Sequence, residues 1–576
     1  MENMYRNKYC GEVTKEDVGK TVRIAGWINS IRNLGSLVFV TLRDETGIVQ
    51  VVTEDTLLFK DVTRESTCTI TGKVILRSGE VNKNMKTGEV EIELESIEIL
   101  GKCTSLLPFE INRSKDASEE TRLKYRYLDL RNKEVHDKIL FRSKVIDYIR
   151  SIMKGMNFTE ISTPIISTSS PEGARDFVIP SRNYKGKFYA LPQAPQIYKQ
   201  LLMVSGFNRY FQIAPCFRDE DCRADRTLEF YQLDMEMSFV TEEDVYEVGE
   251  TVFYNIFKEF GDKEVSSRPF RRISYNEAML KYGSDKPDLR NPLIIEDVSS
   301  LFENSSFNGF KGKMVRGIKV LSCDKPNSWY KKLEDFIKEK GASGLCYIKV
   351  LEDGSLNSTV TKFLSEDEIN GLKEKFNLES GNVLFIIAGD KAFKYAGILR
   401  NKLGSELDLI DKSKFEFCII NDFPMYEWNE EENKWDFGHN PFSMPKGGLD
   451  ALNSSDIGNI TAIQYDFVCN GCEMASGAVR NHDIEIMKKA FEIAGYDEEV
   501  IKNKFRSLYT AFGFGAPPHA GMAPGIDRII MLLTDEENLR EVQVFPPNVS
   551  GVDLLMGGPN TLTETQLREL HIKIRD

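Results

Sequence analysis

Apolar and polar residues alternate along much of the region from residue 20 to residue 100, and this pattern limits the fold more than any other feature of the chain. A period of two residues is that of a β-strand, whose side chains point to opposite faces in turn. Turn residues divide the region into five short runs, TVRIAGWI, SLVFVTLRD, GIVQVV, STCTITGKVIL and EVEIELESIEIL. Five such strands predict a closed barrel of the OB type, which binds single-stranded nucleic acid by stacking bases on exposed aromatic side chains.

Two residues of the predicted barrel are candidates for contacts with nucleic acid. Phe39 and Gln50 lie in the second and third runs, and Arg32 and Arg43 lie near them in the sequence. The alternation alone explains Phe39 equally well as a residue of the barrel core. The alternating pattern is therefore consistent with Phe39 either as a contact to nucleic acid or as a core residue.

The periodicity changes after the barrel. Between residues 136 and 155 apolar residues return every three or four positions, which predicts a helix, and the following segment is strand-like until Pro164 stops it. Between residues 288 and 417 short strands alternate with Lys- and Glu-rich helices, and no cluster of catalytic residue types occurs. We interpret this stretch as an inserted domain, because strand and glycine-rich patterns resume at Phe415.

Composition excludes several classes of protein. A chain of 576 residues is too long for one core, and a net charge of −14 argues against indiscriminate binding of polyanions, so a nucleic-acid partner requires a local, shaped site. No apolar run is long enough to span a bilayer, and the start of the chain lacks an apolar leader. Ten irregularly spaced cysteines, of which only Cys469 and Cys472 have a metal-like spacing, indicate reduced thiols. We therefore expect a cytoplasmic protein without a zinc site.

The stretch FRDEDCRADRTLEFYQLD, residues 217–234, is densely charged and then changes to alternating apolar and polar residues. Arg218 and Arg226 suit a polyphosphate, because bidentate guanidinium contacts fix orientation as well as affinity. Phe230 suits stacking on a base, and Glu220 suits the acceptance of a hydrogen bond from an exocyclic amine. The alternative interpretation is an exposed, salt-bridged hairpin.

A second phosphate site is predicted in GMAPGIDRIIMLL, residues 521–533. Arg528 lies near the start of an apolar helix there, where free N–H groups favour anions and glycines allow close approach of the backbone. Upstream, Asp466 and Glu473 are seven residues apart and would suit Mg²⁺ if both face one pocket. On the spacing alone, two unrelated surface acids are the better explanation.

Together these segments resemble a known family. FRDEDCRADRTLEFYQLD looks like motif 2 of the class II aminoacyl-tRNA synthetases, GMAPGIDRIIMLL looks like motif 3, and the helix and strand that end at Pro164 look like motif 1. With SPEGARDFVIPSR, LPQAPQIYKQLL, GSDKPDLRNP and FGHNPFSMP, the chain resembles the bacterial-type aspartyl-tRNA synthetases from end to end. The related asparaginyl- and lysyl-tRNA synthetases share the barrel and the class II motifs, but are not expected to carry the large insertion.

The resemblance implies an α+β multidomain fold with an N-terminal OB-fold β-barrel, an antiparallel class II synthetase sheet with flanking helices, and an inserted α+β domain. The implied divisions are an anticodon-binding barrel at 1–105, a hinge or linker at 106–135, a first catalytic part with motifs 1 and 2 at 136–287, the bacterial-type insertion at 288–417, a second catalytic part with motif 3 at 418–545, and a C-terminal extension at 546–576. A homodimer joined partly through motif 1 is also implied.

The activity implied by the resemblance is the ATP- and Mg²⁺-dependent conversion of L-aspartate to aspartyl-adenylate, and the transfer of aspartate to the 3′-hydroxyl of the terminal adenosine of tRNA-Asp. This chemistry requires mainly positioning and charge stabilisation from the protein. Whether tRNA-Asn is charged as well stays open, because Leu34 favours a strict enzyme and Gly79 favours a relaxed one.

The resemblance also implies roles for individual residues at ATP. Arg218 and Arg528 are the implied catalytic residues, with Arg218 at the α-phosphate and Arg528 at the far phosphates. The other implied ATP-site residues are Glu220 near the adenine amino group, Phe230 on the adenine ring, and Asp219, Glu473, Gly525, Ile526 and Asp527. Asp466 and Glu473 are the implied Mg²⁺ ligands.

For the amino acid, the resemblance implies that Arg480 pairs with the side-chain carboxylate and that Lys199 supports this contact. Two cations on one short carboxylate would explain the rejection of asparagine. The other residues expected around the substrate are Asp234 and Gln196 at its ammonium end, Glu172 at a closing loop and His439 over the site. In the barrel, Phe39, Gln50 and Glu91 match anticodon-reading positions, which favours a contact role for Phe39.

The sequence departs from the family pattern at a few positions. Ala194 stands where other members have Ser, Thr227-Leu228 stands where many have Gln-Pro or Ser-Pro, and FPPNVSGVDLL at 545–555 stands where FPxNQxAxDLL is usual. The charged residues on which the reaction depends are present, which disfavours a non-catalytic RNA-binding or regulatory paralogue. The anticodon-type barrel disfavours a related ligase that makes an amide on the same catalytic fold.

Overall fold

The computed structural model describes residues 3–169 and 173–575. The boundary between two compact units falls between Glu110 and Ile111. In the part of the chain that is described, no helix is long and apolar enough to cross a membrane.

The first unit is a closed five-stranded barrel, which confirms the prediction from the alternating pattern. Its strands are β1 (Thr21–Leu34), β2 (Leu37–Asp44), β3 (Gly47–Thr53), β4 (Thr67–Leu76) and β5 (Val90–Gly101). They close in the order β1-β2-β3-β5-β4, with β3 and β5 parallel. Alternate side chains such as Ile24, Val40 and Ile70 are completely buried inside, and their removal from water drives closure.

The second unit begins with three helices, α1 (Glu119–Lys124), α2 (Arg126–Asp129) and α3 (Lys133–Gly155). The predicted helix at 136–155 is confirmed as the larger part of α3. Its start lies three residues earlier because Asn132 caps it, with its side chain accepting a 3.0 Å hydrogen bond from the Glu134 N–H.

The first half of the large sheet and its helices follow. They are β6 (Thr159–Glu160), β7 (Val178–Pro180), β8 (Phe188–Ala190), α4 (Gln196–Val204), β9 (Arg209–Phe217), β10 (Glu229–Ser238), α5 (Glu242–Phe260), β11 (Glu264–Val265), β12 (Arg271–Ser274) and α6 (Tyr275–Tyr282).

A separate five-stranded sheet then forms inside the stretch interpreted as an insertion. Its elements are β13 (Ile295–Asp297), β14 (Val315–Val320), α7 (Asn327–Glu339), β15 (Cys346–Val350), β16 (Leu356–Asn357), α8 (Glu366–Phe376), β17 (Val383–Ala388) and α9 (Ala392–Glu406). Apolar clusters cover both faces of this sheet, one with α7 and α9 and the other with α8. The inserted region therefore has its own core.

The chain then returns to the large sheet. The remaining elements are β18 (Lys414–Phe415), β19 (Phe417–Pro424), β20 (Tyr426–Asn429), β21 (Lys434–Phe437), α10 (Gly448–Leu452), β22 (Thr461–Cys469), β23 (Cys472–Val479), α11 (Ile484–Ile493), α12 (Glu498–Lys504), α13 (Arg506–Phe512), β24 (His519–Pro524), α14 (Ile526–Leu533) and α15 (Glu564–Glu569).

The large sheet has eight strands in the order β12-β19-β22-β23-β24-β10-β9-β6. Its inner pairs are antiparallel, and the outermost pairs, β12 with β19 and β6 with β9, are parallel. Helix α5 packs on one face through buried apolar residues such as Val252, Phe253 and Phe257. The opposite face carries polar side chains over β10, β23 and β24.

Gly521 on β24 allows these central strands to lie close together. A Cβ atom at this position would lie 2.1 Å from the Met235 carbonyl oxygen and 2.2 Å from Oε2 of Glu236, both on β10. Since such contacts are too short, a side chain here would displace β10 or the Glu236 carboxylate. The glycine therefore leaves room for a buried charge next to the sheet.

Candidate active site

A pocket of about 450 Å³ lies over the polar face of β10 and β23. On β10, Phe230, Tyr231 and Gln232 line the pocket, whereas the later Leu233 and Met235 belong to the apolar core on the other face. The alternation of a single strand thus separates the core of the second unit from the floor of the pocket.

Most of the predicted site residues come together in this pocket although they are far apart in the sequence. Those that line it are Gln196, Lys199, Arg218, Glu220, Phe230, His439, Glu473, Arg480, Gly525, Asp527 and Arg528. They are supplied by α4, the loop from β9 to β10, β10 itself, the segment before α10, β23 with the residue after it, and the start of α14 with the residue before it.

Arg218 lies in the part of the pocket that suits a nucleotide. Its guanidinium carbon is 5.0 Å from the centroid of the Phe230 ring, and its Nε is buried without a hydrogen-bond partner. A buried N–H that lacks an acceptor is unfavourable, and an oxyanion of a ligand would satisfy it. In the same loop Arg226 is paired with Glu220, at 3.5 Å between Nη1 and Oε2.

Arg528 connects the start of α14 with β23. Its Nη1 donates a 2.7 Å hydrogen bond to the Glu473 carbonyl oxygen and lies 3.4 Å from Oε1 of the same residue. Its Nη2 lies 4.0 Å from Asp225 Oδ2 in the loop from β9 to β10. The arginine therefore adds a second positive charge to the phosphate-sized part of the pocket.

Asp466 on β22 and Glu473 on β23 lie on neighbouring strands. Asp466 is buried, and its Oδ1 has no hydrogen-bond partner. Burial and then the negative charge of Glu473 raise the pKa of Asp466 well above its usual value. The two carboxylates therefore form an acidic pair that a cation would stabilise.

The residues present fit Mg²⁺ that is shared with a nucleotide. Within residues 3–169 and 173–575, no group of three or more His, Cys, Asp or Glu residues could hold a metal ion. Mg²⁺ commonly uses one or two carboxylates and completes its coordination with water and phosphate oxygens. The Asp466–Glu473 pair, with its free buried oxygen, matches that donor set.

Four buried charged side chains underlie the other end of the pocket. Arg480 donates from Nε and Nη2 to Oε1 and Oε2 of Glu236, at 2.9 and 3.1 Å. Lys199 Nζ lies 2.7 Å from Asp234 Oδ1 and 3.5 Å from Glu236 Oε2. Each of the four side chains is at most 2% exposed.

This arrangement fixes two cations at the pocket wall. Both Arg480 and Lys199 line the pocket, and the hydrogen bonds to Glu236 do not use Nη1 of Arg480. Burial opposes ionisation of Glu236, but the charges of Arg480 and Lys199 lower its pKa, so it remains a carboxylate. A small anion that enters here therefore meets two positive groups whose positions are already set.

Gln196 and His439 complete the wall. Gln196 is buried, and its Nε2 has no hydrogen-bond partner, so an amide donor is available at the pocket. The His439 ring packs 5.0 Å from that of Phe423, and burial lowers its pKa. A neutral imidazole therefore lies at the edge of the pocket at neutral pH.

Other predicted residues do not line the pocket or use their side chains elsewhere. Asp234 and Asp466 lie behind the wall, Asp219 is exposed in the loop, and Ile526 is completely buried in the core. The Asp527 carboxylate accepts hydrogen bonds from Arg142 and from the Tyr231 N–H, so it joins α14 to α3 and β10. Glu172 lies outside the described residues.

Two of the sequence departures, at Leu228 and Gly551, lie next to each other in the structure. Gly551 stands at the position of the alanine in the usual tail pattern, has φ +74°, and would place a Cβ 3.1 Å from Leu228 Cδ1. Leu228 itself replaces a proline of the usual loop. Thr227 accepts a 3.3 Å hydrogen bond from Gln543 Nε2. The larger loop residue is thus accommodated by the smaller tail residue, and Ala194 lies on the pocket wall.

In the barrel, Phe39, Gln50 and Glu91 lie on β2, β3 and β5. Phe39 is half-buried between the buried Val38 and Val40, so it points away from the core that they form. Gln50 donates a 2.8 Å hydrogen bond to Glu91 Oε2 and accepts one of 2.9 Å from Arg77 Nη2. An aromatic ring and a polar network therefore lie on neighbouring strands of the barrel.

Sequence reasoning missed two charged residues that form ion pairs with residues lining the pocket. Glu236 holds Arg480, and Lys286 Nζ lies 2.7 Å from Glu473 Oε2. Glu236 follows Asp234 by two positions on β10, so strand alternation could have indicated it. Lys286 lies in the motif GSDKPDLRNP, but no local pattern in that motif connects it to Glu473.

Comparison with known proteins identifies two families in the chain. The model for tRNA synthetases class II (D, K and N) matches residues 118–549, and that for the OB-fold nucleic acid binding domain matches residues 22–100. The chain is 52% identical to the aspartate–tRNA(Asp/Asn) ligase of Rickettsia bellii, over 99% of this chain and 98% of that protein. It is 50% identical to the aspartate–tRNA ligase of Streptomyces coelicolor, over 99% of each.

Solved structures share the fold at lower sequence identity. Asparaginyl-tRNA synthetase from Pyrococcus horikoshii, complexed with asparaginyl-adenylate, superposes with a TM-score of 0.59 at 19% identity, covering 94% of this chain and 97% of that one. A putative aspartyl-tRNA synthetase from Leishmania major has a TM-score of 0.59 at 20% identity, covering 95% of each. The implied fold class, an OB-fold barrel followed by a class II synthetase sheet, is therefore confirmed.

Proposed function

The chain belongs to the class II tRNA synthetases of the D, K and N group, and from this membership we propose that it joins L-aspartate to tRNA-Asp at the expense of ATP. In the first step the α-carboxylate of aspartate attacks the α-phosphorus of ATP and pyrophosphate leaves. In the second step the 3′-hydroxyl of the terminal adenosine attacks the aspartyl carbonyl carbon, and AMP leaves. The observation that carries this proposal is one pocket with the unpartnered Nε of Arg218 at one end and two fixed, buried cations at the other.

The nucleotide would occupy the end of the pocket near Arg218 and Phe230. Adenine stacks on Phe230 with its amino group near Glu220, and the unpartnered Nε of Arg218 points to a phosphate contact at the transferred centre. Arg528 binds the leaving pyrophosphate. Preorganised guanidinium groups stabilise the charge that develops at phosphorus, because they need no reorganisation during the reaction.

Asp466 and Glu473 would hold Mg²⁺ together with the phosphates. When bound, the ion neutralises charge on the phosphate oxygens and on the departing pyrophosphate. The contribution of the chain is the acidic pair itself, fixed on β22 and β23. Backbone atoms at Gly525, Ile526 and Asp527, together with Asp219, border the phosphates in this proposal.

Aspartate would bind with its side-chain carboxylate on Arg480 and Lys199. Asparagine offers only a neutral amide there, so it would not supply the further anion that the two buried cations can bind in addition to Glu236 and Asp234. The negative charge of Asp234, whose Oδ2 has no hydrogen-bond partner, and the acceptor Oε1 of Gln196 would attract the ammonium end. His439 would cover the bound substrate.

The barrel would bind the anticodon of the tRNA. A half-buried Phe39 offers a ring for stacking, and the linked Gln50, Glu91 and Arg77 offer donors and acceptors for base edges. The similar proteins include both aspartate–tRNA and aspartate–tRNA(Asp/Asn) ligases. Charging of tRNA-Asn by this chain is therefore measured directly, beside charging of tRNA-Asp.

We also propose that the chain acts as a homodimer through the edge of the large sheet that ends at β6. Near this edge Phe207 and Phe239 are exposed, at 41% and 74%, and Phe239 has φ +58°, which is unusual for an aromatic residue. Hydrogen bonds from Ser238 to Phe207 and Asn208 hold the two aromatic residues at one end of the β9–β10 pair. A second copy of the chain would cover this apolar surface.

The central test is aspartate-dependent ATP–pyrophosphate exchange, followed by charging of tRNA-Asp and tRNA-Asn side by side. Arg218→Gln should lower kcat/KM for exchange by about 10²–10³, because it removes a preorganised donor to the transition state. Arg223→Gln, in the same loop but exposed and outside the pocket, should leave exchange unchanged. Absence of aspartate-dependent exchange in the wild-type chain would contradict the proposal.

For the barrel, Phe39→Ala should raise KM for tRNA about tenfold, since base stacking on an aromatic ring contributes roughly 1–3 kcal/mol. Amino-acid activation does not require tRNA, so exchange should be unaffected. Leu57→Ala, an exposed apolar residue between β3 and β4, serves as the control. Equal tRNA KM values for the two variants would argue against stacking on Phe39.

For the dimer, sedimentation of the wild-type chain should give twice the 65.7 kDa mass of one chain at micromolar concentration. Phe239→Asp should shift the equilibrium to the monomer, because it places a charge in the proposed apolar contact. Leu449→Asp, an exposed apolar residue on α10, should not. A wild-type chain that sediments as a monomer would remove this part of the proposal.

A further inference from the structure

Lys286 forms an ion pair at the acidic pair proposed to hold the metal. Its Nζ lies 2.7 Å from Oε2 of Glu473. In this structure, Lys286 therefore neutralises part of the charge that Mg²⁺ would neutralise.

The lysine comes from outside the large sheet, on the segment between α6 and β13. Helix α9 of the inserted region holds this segment through Arg400, which is completely buried. Arg400 donates from Nη2 to the carbonyl oxygens of Asp288 and Asn291, at 3.0 and 2.7 Å, and from Nε to that of Leu293, at 2.6 Å. Three buried hydrogen bonds to consecutive parts of the backbone leave the segment little freedom.

Two glycines bring the same helix against the start of the segment. A Cβ at Gly397 on α9 would lie 2.5 Å from the Gly283 carbonyl oxygen, and a Cβ at Gly283 would lie 2.6 Å from Gly397 Cα. On the other side, Arg290 binds Asp288 through Nε and Nη2, at 2.9 and 2.8 Å. Lys286 is thus carried by a backbone that is fixed on both sides of it.

We propose that Lys286 is a resident counter-cation of the Asp466–Glu473 pair, which it stabilises until a divalent ion enters together with its nucleotide. The inference rests on the proposed function, in which this pair holds Mg²⁺. An ammonium ion is a compact point charge, so it can neutralise a carboxylate without occupying a coordination sphere. It also competes electrostatically with a divalent cation at the same oxygens.

The consequence is that the metal site is weak without nucleotide. Two carboxylates supply few ligands, and one of them is engaged by Lys286. Phosphate oxygens add ligands for the metal, and their negative charge offers the ammonium ion another partner. Metal binding therefore depends on the nucleotide, and the inserted region takes part in this dependence because α9 anchors the segment that carries Lys286.

The test is the affinity of the full-length chain for Mn²⁺ without nucleotide, measured by the electron paramagnetic resonance signal of free Mn²⁺. Lys286→Met and Lys286→Gln should both bind Mn²⁺ at least about tenfold more tightly than the wild-type chain, because the competing charge is gone. Lys286→Arg keeps the charge and should stay within about threefold of wild type. Lys281→Met breaks a 2.8 Å ion pair with Glu277 on α6 and should change nothing.

The gain in Mn²⁺ affinity should be lost in the double variant Lys286→Met/Glu473→Gln, because this variant lacks one of the two carboxylates. Such a loss would show that the Mn²⁺ ion binds at the acidic pair. Unchanged or weaker Mn²⁺ binding in folded Lys286→Met and Lys286→Gln would overturn the inference. Aspartate-dependent exchange in the wild-type chain separates the two proposals. If exchange is present, unchanged or weaker Mn²⁺ binding in the Lys286 variants overturns only the role of Lys286. If exchange is absent, the proposed function is overturned as well.

Discussion

The pairing of Arg480 with Glu236 is the interaction on which the rest of the site depends. Both side chains are buried, so neither charge would be tolerated there without the other. Glu236 reaches this position because Gly521 on the neighbouring strand leaves space for its carboxylate. Lys199 and Asp234 extend the pair to a set of four. A cationic pocket wall is thus built from groups that are already paired, and substrate binding adds one more anion.

Buried charges are also paired at the other end of the pocket, but there the carboxylates face the ligand and the cations support them. There the buried carboxylates Asp466 and Glu473 require cations, which Lys286 and Arg528 supply in part. Arg218 keeps a buried N–H without an acceptor. The two ends of the pocket therefore differ in the charges that they present to ligands. One presents positive charge to a small carboxylate, and the other presents positive charge to phosphates and negative charge to a metal ion.

Much of this architecture could be predicted from the sequence because its signals are local. Strand alternation predicted the barrel, and the three- to four-residue period predicted α3. The contacts between distant segments had no local signal. The bond of Lys286 to Glu473 joins residues 187 positions apart through a fold with an insertion between them. The changes at Leu228 and Gly551 were visible as two separate departures. Only the structure explains them together, because a Cβ at position 551 would lie 3.1 Å from Leu228 Cδ1.

Glu236 holds Arg480 at the pocket wall, where the guanidinium would bind a carboxylate in preference to an amide. The most direct measurement is the ratio of kcat/KM for aspartate to that for asparagine in ATP–pyrophosphate exchange, in the wild-type chain and in Glu236→Gln. In Glu236→Gln the ratio should fall at least about tenfold, with KM for ATP unchanged, because an amide cannot accept both hydrogen bonds from Arg480. An unchanged ratio in a folded Glu236→Gln variant would show that Glu236 does not set this selectivity.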